Sequence, residues 1–170
     1  MNSYKTYVII GIRRFIADDL QRRVFMKIST KGRYALRMLI DLASHHDEVF
    51  VSLKDIAERQ DISKKYLEQI VPMLNKDGIL RTNRGNRGGY QLAKKPSEIS
   101  VGTILRSTEG NLAPVTCLEF EPNECPRKEE CATLYIWEGL YKVINEYLDG
   151  ITLQDIIDRS INLSGGDYCI

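Results

Sequence analysis

Residues 52–95 read SLKDIAERQDISKKYLEQIVPMLNKDGILRTNRGNRGGYQLAKK, and this stretch decides the fold class. Ser52 followed by Asp55 is typical of a helix start, and the helix that it opens is short. Ser63 begins a second helix after a tight turn, and Gly78 is placed to end it. Two short helices joined by such a turn predict a helix-turn-helix.

Two strand-like runs follow the helix pair, ILRTNR at 79–84 and GYQLA at 89–93. The residues between them, GNRG at 85–88, are typical of a tight turn, so the runs predict a β-hairpin. A helix-turn-helix followed by a basic hairpin is the arrangement of a winged helix. The expected fold class is therefore mainly α, a winged helix-turn-helix with a β-hairpin wing and a long C-terminal dimerisation helix.

Helical spacing predicts further helices on both sides of this unit. Upstream, Ser29 or Thr30 caps a helix whose apolar residues recur every three or four positions. Downstream, Ser100 is expected to cap a helix that Gly110 ends. A last short helix, TLQDII, starts at Thr152.

The longest predicted helix covers residues 133–148 and carries an apolar stripe. So small a chain leaves little of itself to cover this stripe, which favours contact with a second copy over packing within its own domain. A symmetric dimer places two recognition helices about one DNA turn apart and predicts a pseudo-palindromic target. The stripe consists of Trp137, Leu140, Tyr141, Ile144 and Leu148.

These elements divide the chain into four predicted segments. Residues 1–25 form an N-terminal extension or result from an upstream start site, because Met26 looks like a fresh beginning. Residues 26–110 form the DNA-binding domain, and residues 111–131, which lack periodicity, form a cysteine loop. Residues 132–170 hold the dimerisation helix and the C-terminal tail.

Composition excludes several classes of protein. Apolar residues make up 43% and charged residues 28%, which does not suit a disordered or collagen-like chain. No membrane span is predicted, since no apolar run approaches the length of a bilayer, and cytoplasmic residence is expected. An enzyme is not expected, because the chain has neither a catalytic triad pattern nor a phosphate-binding glycine loop.

The net charge of +1 hides a segregation of charge along the chain. Residues 26–96 carry a net +6, whereas residues 97–170 carry a net −8. Residues 63–95 alone hold eight lysines and arginines against two acidic residues. Such a concentration attracts a polyanion by counterion release, which makes nucleic acid the first partner to test. A solvated charged face is the alternative.

The second helix of the pair is predicted to read double-stranded DNA. With its apolar residues in the core, Lys65 and Gln69 point outward and Glu68 lies toward one flank. Gln bonds adenine, Lys reaches guanine or phosphate, and Glu accepts from cytosine. A winged helix that contacts protein instead is the alternative. The expected DNA-binding residues are Ser63, Lys64, Lys65, Glu68, Gln69, Arg84 and Arg87.

Three loop cysteines form the candidate metal site. Cys117, Cys125 and Cys131 have seven and five residues between them, and Cys169 lies near the terminus. The paired knuckles of structural zinc are absent, and widely spaced thiolates suit an iron-sulfur cluster better. Five glutamates in the loop are expected to raise the thiol pKa values, which disfavours a metal-free thiol sensor. Three unconnected cysteines are the alternative.

Taken together, these motifs resemble the Rrf2 family of bacterial winged-helix regulators. The segments that carry the resemblance are STKGRYALRMLIDLA, SLKDIAERQDISKKYLEQI, RGNRGGYQL and TLQDII, and the match covers about residues 26–158. The resemblance implies a dimer built around the long helix, and it implies that Glu68 tunes the choice of DNA site. The positions that the family uses for DNA are those of Ser63, Lys65, Glu68, Gln69 and Arg84.

Members of this family include a regulator of iron-sulfur cluster assembly, a nitric-oxide-sensitive repressor and a repressor of cysteine metabolism. Similarity to the cluster-bearing members implies a cluster, most simply 2Fe-2S, with Cys117, Cys125 and Cys131 as ligands. The fourth ligand is unassigned, because Leu134 and Arg33 stand where those members have His and Asp respectively. The candidates for this ligand are Cys169, a loop Glu, His45 and His46.

The sequence therefore predicts a homodimeric, sequence-specific transcriptional regulator, expected to be a repressor, that senses iron-sulfur, redox or nitric-oxide status through its cluster. The closing stretch resembles that of the cysteine-metabolism repressor, which lacks the cluster cysteines. The alternative is therefore a cluster-free regulator of cysteine or sulfur metabolism, controlled by thiol oxidation or by a partner protein.

Overall fold

A computed structural model of the chain describes residues 27–45, 50–85 and 88–164, and the predicted N-terminal extension lies outside these ranges. The described part is mainly helical with a two-stranded antiparallel sheet, which confirms the predicted winged helix-turn-helix. The elements are α1 (Thr30–Ser44), α2 (Leu53–Gln60), α3 (Lys64–Lys76), β1 (Leu80–Asn83), β2 (Gly89–Leu92), α4 (Val101–Glu109), α5 (Leu134–Asp149) and α6 (Leu153–Ser164).

Serine side chains begin the first four helices. Ser29 Oγ accepts a hydrogen bond from Lys31 N at 3.1 Å. Ser52, Ser63 and Ser100 accept from the backbone N–H three residues later, at 3.1 to 3.2 Å. These bonds satisfy N–H groups that a helix start leaves without an intrahelical partner, and they confirm the predicted helix starts.

The main apolar core lies between α1, α2 and α3. α4 and α6 close this core, through Ile104 and Leu153 respectively. Each fully buried side chain of this size contributes about 1.5–3 kcal/mol relative to exposure. The fully buried side chains of the first three helices include Met38, Leu39, Ile56, Leu67, Ile70 and Leu74.

The wing is attached to the segment that precedes α2. Val51 exchanges two backbone hydrogen bonds with Tyr90 of β2, at 3.0 and 2.8 Å. Gly89 permits this approach, because a Cβ there would lie 2.5 Å from Val51 O. The start of α2 and the hairpin therefore form one continuous surface.

α6 returns the C-terminal part of the chain to the core. Leu153 N donates to Ile99 O at 2.9 Å, and Val101 N donates to Ile151 O at 2.8 Å. The helix runs to Ser164 and is longer than the short helix predicted from TLQDII. Among the described helices, none has both the length and the hydropathy that crossing a membrane requires.

α5 confirms the predicted long helix but carries apolar residues on two faces. Tyr141 and Leu148 pack against a second, smaller core that includes Val101, Leu105 and Leu112. Two residues of the predicted stripe are therefore covered in part by their own chain, whereas Leu140 of the same stripe is exposed. The exposed apolar row shares Leu140 with the stripe and is formed by Tyr135, Ile136, Leu140, Val143 and Tyr147.

A buried carboxylate joins α1 to the end of α2. Asp41 is 3% exposed and accepts hydrogen bonds from Arg59 Nη2 at 2.6 Å and from Gln60 Nε2 at 3.0 Å. Burial by itself raises the pKa of Asp41, but the hydrogen bonds and the charge of Arg59 outweigh burial and lower it. The last turn of α2 is thereby held against α1.

We expect Asp41→Asn to lower the free energy of unfolding at pH 7 by about 3 kcal/mol, because Arg59 loses its anionic partner. Folding lowers the pKa of Asp41, so this contribution is present above the unfolded-state pKa of about 3.9 and is lost as the pH falls through the folded-state pKa. Urea unfolding at pH 7 and at steps down to pH 3 measures both effects.

The matched control is Asp77→Asn, which changes an exposed carboxylate at the end of α3 and should alter the free energy of unfolding by less than about 0.5 kcal/mol. A difference between wild type and Asp41→Asn that stayed constant down to pH 3 would contradict the role given to the Asp41 charge.

Candidate nucleic-acid interface and cysteine loop

The predicted contact residues at the start of α3 all lie on the surface, because the apolar residues between them turn into the core. Ser63 accepts its capping hydrogen bond from Tyr66 N at 3.2 Å, which keeps its hydroxyl at the helix N-terminus. The exposed residues are Ser63, Lys64, Lys65, Glu68 and Gln69.

Four of these residues form two rows along α3. Lys65 and Gln69 lie one turn apart on one row. Lys64 and Glu68 lie one turn apart on the neighbouring row, with 3.6 Å between Lys64 Nζ and Glu68 Oε1. An exposed ion pair of this kind contributes at most about 1 kcal/mol, so either side chain can exchange its partner for a ligand at small cost.

The row of Lys64 and Glu68 faces an open groove between α3 and the wing. Arg84, the residue after β1, also lines this groove. Asn75 joins α3 to the wing, because Thr82 Oγ1 donates to Asn75 Oδ1 at 3.1 Å. Lys64, Glu68 and Arg84 therefore line one concave surface. The hydrogen bond between Thr82 and Asn75 connects the wing to α3 along this surface.

Sequence reasoning missed one wall of this groove. Ser52 and Lys54, at the start of α2, line it together with the wing. The backbone pairing of Val51 with Tyr90 brings them there, and no local pattern marks a pairing between such distant segments. Arg87, the remaining predicted contact residue, lies outside the described residues.

The three loop cysteines are free thiols, each of them partly buried. Cys117 lies in the 3-10 turn Thr116–Leu118, and Cys131 follows the turn Lys128–Glu130. Within the described ranges, no group of three or more Cys, His, Asp or Glu side chains is placed to hold a metal ion. The thiols suit iron in their chemistry, but the loop as folded does not bring them together.

The pKa of Cys131 does not follow the rise that was predicted for the loop thiols. Its Sγ lies 3.6 Å from Thr133 Oγ1. Hydrogen bonds from Thr133, and from the backbone N–H of Leu134, stabilise the thiolate and lower the pKa of Cys131. The predicted rise is therefore wrong for this residue, because hydrogen bonding to the thiolate outweighs the effect of burial.

Three buried polar atoms in or near the loop have no hydrogen-bond partner among the described residues. They are Ser107 Oγ, Glu119 Oε1 and Asn123 Nδ2. Folded proteins satisfy nearly all buried polar groups with protein or with ordered water, so each of these atoms calls for a partner outside the described residues.

α4 connects the loop to two other helices. Glu109 Oε1 accepts hydrogen bonds from Ser29 N, Ser29 Oγ and Gly32 N, at 3.1, 2.8 and 3.2 Å. Arg106 forms an ion pair with Asp149 of α5. Only Gly110 separates Glu109 from the loop, so the loop follows directly on a helix that contacts both the start of α1 and α5.

Comparison with known proteins identifies the family and the fold. The family described as "Rrf2: Iron-dependent Transcriptional regulator" matches residues 28–159. Protein rrf2 from Nitratidesulfovibrio vulgaris is 45% identical over 144 residues, which cover 85% of this chain and 95% of that protein.

Two solved structures share the fold. The structure of CymR, titled the global cysteine regulator of B. subtilis, has a TM-score of 0.63 and 41% identity, and covers 78% of this chain and 97% of that chain. The structure titled T. potens IscR has a TM-score of 0.61 and 41% identity, and covers 79% of this chain and 88% of that chain.

Proposed function

Because the chain belongs to the Rrf2 family and is a transcriptional regulator of the IscR and CymR type, we propose that it binds specific DNA sites through α3 and the wing. Its relatives are transcriptional regulators, which favours a role without catalysis and an output of repression.

The DNA proposal rests on one observation, which is that α3 has one face buried in the core and the opposite face exposed to solvent. Leu67, Ile70 and Leu74 hold one face in the core, while Lys65 and Gln69 are exposed on the other. A helix of this kind fits the major groove, where a Gln bonds adenine through two hydrogen bonds and a Lys reaches guanine or phosphate.

Glu68 is proposed to select among sites. Its carboxylate accepts from cytosine and repels phosphate, and in the free protein it is paired with Lys64. On DNA, Lys64 can turn to a phosphate, which releases Glu68 toward the base edges. Arg84 lies across the same groove on the wing, where it can reach the flanking minor groove, with Arg87 as a further proposed contact.

We expect Gln69→Ala to weaken binding by about 1–3 kcal/mol, or about 5- to 150-fold, at a duplex that the wild type selects from a random library. Its effect on non-specific duplex should be small. Lys65→Ala should weaken binding to all duplexes and lower the slope of log K against log salt by about 0.9, because one phosphate contact is lost. Fluorescence anisotropy at several salt concentrations measures these quantities.

Lys142→Ala is the matched control, since it removes the same charge from the exposed surface of α5, where Lys142 pairs with Glu146. Equal effects of Lys65→Ala and Lys142→Ala would show that only net charge matters and would contradict contact through α3.

The homodimer is proposed to form through the exposed row of α5. Ile136, Leu140, Val143 and Tyr147 recur at intervals of four, three and four residues and are 43–68% exposed. Apolar side chains at this spacing form a continuous strip along one side of a helix, which two copies can bury against each other. Such a dimer presents two α3 helices to a pseudo-palindromic site.

We expect Val143→Glu to convert the dimer to a monomer at micromolar concentration, because the carboxylate would be buried without a partner. Analytical ultracentrifugation measures the mass. Lys142→Glu introduces the same residue one position away on an exposed polar site and should remain dimeric. A wild type that sediments as a monomer, or a dimeric Val143→Glu, would contradict this interface.

The cluster is proposed to be 2Fe-2S, held by Cys117, Cys125 and Cys131. Support comes from three thiols in one loop and from the similarity to IscR. A bound cluster supplies a group that oxygen, electrons or nitric oxide can alter. The loop must draw the thiols together to hold it, and Glu109 and Arg106 connect the loop to α1 and α5.

The second candidate is a cluster-free regulator of cysteine or sulfur metabolism, controlled by thiol oxidation or by a partner protein. The likeness to CymR favours it, and so does the separation of the three thiols in the structure. This candidate uses the same α3 and wing, so it differs only in what the loop detects.

Anaerobic purification distinguishes the two candidates. If the cluster is held as proposed, the wild type contains iron and acid-labile sulfide and absorbs visible light. Replacing any of the three cysteines by Ser should then remove most of the iron. A colourless, iron-free wild type whose Cys→Ser variants bind DNA normally would contradict the cluster, and intact-mass analysis of oxidised thiols would then test the second candidate.

A further inference from the structure

One wall of the groove beside α3 comes from a helix outside the proposed reading surface. Lys54, in the first turn of α2, lines this groove together with Lys64 of α3 and Arg84 of the wing. Among the described residues that line it, Glu68 is the only acidic one. Three cations and one anion give the lining a net charge of +2, so the groove as a whole attracts an anion.

The ammonium group of Lys54 is available to such an anion. Its Nζ lies 3.7 Å from Glu58 Oε1, one turn further along α2. The two side chains are 74% and 67% exposed, and an ion pair in that setting contributes at most about 1 kcal/mol. Lys54 therefore exchanges Glu58 for an anion in the groove at small cost.

Asn75 adds a neutral donor to the same lining. Thr82 Oγ1 donates to Asn75 Oδ1 at 3.1 Å, so the amide oxygen is directed toward the wing. This hydrogen bond uses the oxygen, and no acceptor among the described residues contacts the two N–H groups of the same amide. Amide N–H groups beside several cations are suited to the oxygens of a phosphate.

The geometry of a duplex explains why these groups lie between α3 and the wing. Along double-stranded DNA, one sugar-phosphate strand separates each major groove from the neighbouring minor groove. A protein that places α3 in the major groove and Arg84 in the adjacent minor groove therefore straddles that strand. The surface that faces the strand is the groove that Lys54, Lys64 and Asn75 line.

We propose that the groove beside α3 holds the sugar-phosphate strand between the two DNA grooves, with Lys54 and Asn75 as phosphate contacts. This inference rests on the DNA binding that was proposed above, and it extends the binding surface to α2. Phosphate contacts fix the register of a protein on the duplex and carry no sequence information. Lys54 and Asn75 thus position the protein, while Gln69 reads the bases.

The test compares Lys54→Ala with Lys142→Ala in the full chain. Lys142 is a matched control, because its Nζ lies 3.8 Å from Glu146 Oε1 one turn along α5 and it is 73% exposed, close to the values of Lys54. Fluorescence anisotropy measures the affinity of each variant for a duplex that the wild type selects and for an unrelated duplex.

We expect Lys54→Ala to weaken binding to both duplexes by the same factor and to lower the slope of log K against log salt by about 0.9. The ratio of wild-type to variant affinity should then fall about eightfold between about 0.1 M and about 1 M salt. Lys142→Ala should match the wild type.

Asn75→Asp provides a second variant. It keeps an oxygen that accepts from Thr82 but replaces the N–H groups by a negative charge, so it should weaken both duplexes by about tenfold or more. Neutral methylphosphonates placed one at a time along the strand locate the contact. At the position that Lys54 contacts, the wild type should lose as much affinity as Lys54→Ala does, and Lys54→Ala should lose no more.

The outcomes separate this inference from the proposal on which it rests. If Lys54→Ala and Asn75→Asp bound like the wild type while Lys65→Ala and Gln69→Ala bound weakly, the strand would not lie in the groove, although DNA binding through α3 would stand. Weakening by Lys54→Ala at the selected duplex alone would overturn its role as a phosphate contact. A wild type whose affinity did not depend on salt would instead overturn the DNA proposal itself.

Discussion

Burial of one face of α3 is the constraint on which the rest of the molecule depends. Leu67, Ile70 and Leu74 pack against α1 and α2, and rotating the helix would expose them to water at a cost of about 1.5–3 kcal/mol each. Lys65 and Gln69 are therefore held outward by the core and not by contacts of their own. The surface proposed to read DNA is therefore organised before any ligand arrives.

Polar contacts at the edges of the core fix the orientation of the packed elements relative to one another, because apolar packing alone is not directional. Asp41 holds the end of α2 to α1, and the pairing of Val51 with Tyr90 holds the wing to the start of α2. The groove beside α3 is the consequence of these two attachments. Its charged walls come from three separate elements that meet only in the folded chain.

α4 has a second role as a connector. Glu109 and Arg106 lie on one short helix, yet they bind opposite neighbours, the start of α1 and the end of α5. The cysteine loop begins where α4 ends. The helix that leads into the loop therefore contacts both the DNA-binding unit and the helix that presents the exposed apolar row.

The order of helices and strands, the serine caps and the exposed face of α3 could all be predicted from the sequence, because each depends on residues within about four positions of one another. The covered side of α5 could not, since Tyr141 and Leu148 pack on α4 residues distant in sequence. Lys54 in the groove, the lowered pKa of Cys131 and the unpartnered oxygen of Glu119 likewise depend on spatial neighbours. Local periodicity indicates only which residues are buried and which are exposed. The residue that each side chain contacts is determined by the packing of segments that are distant in sequence around one core.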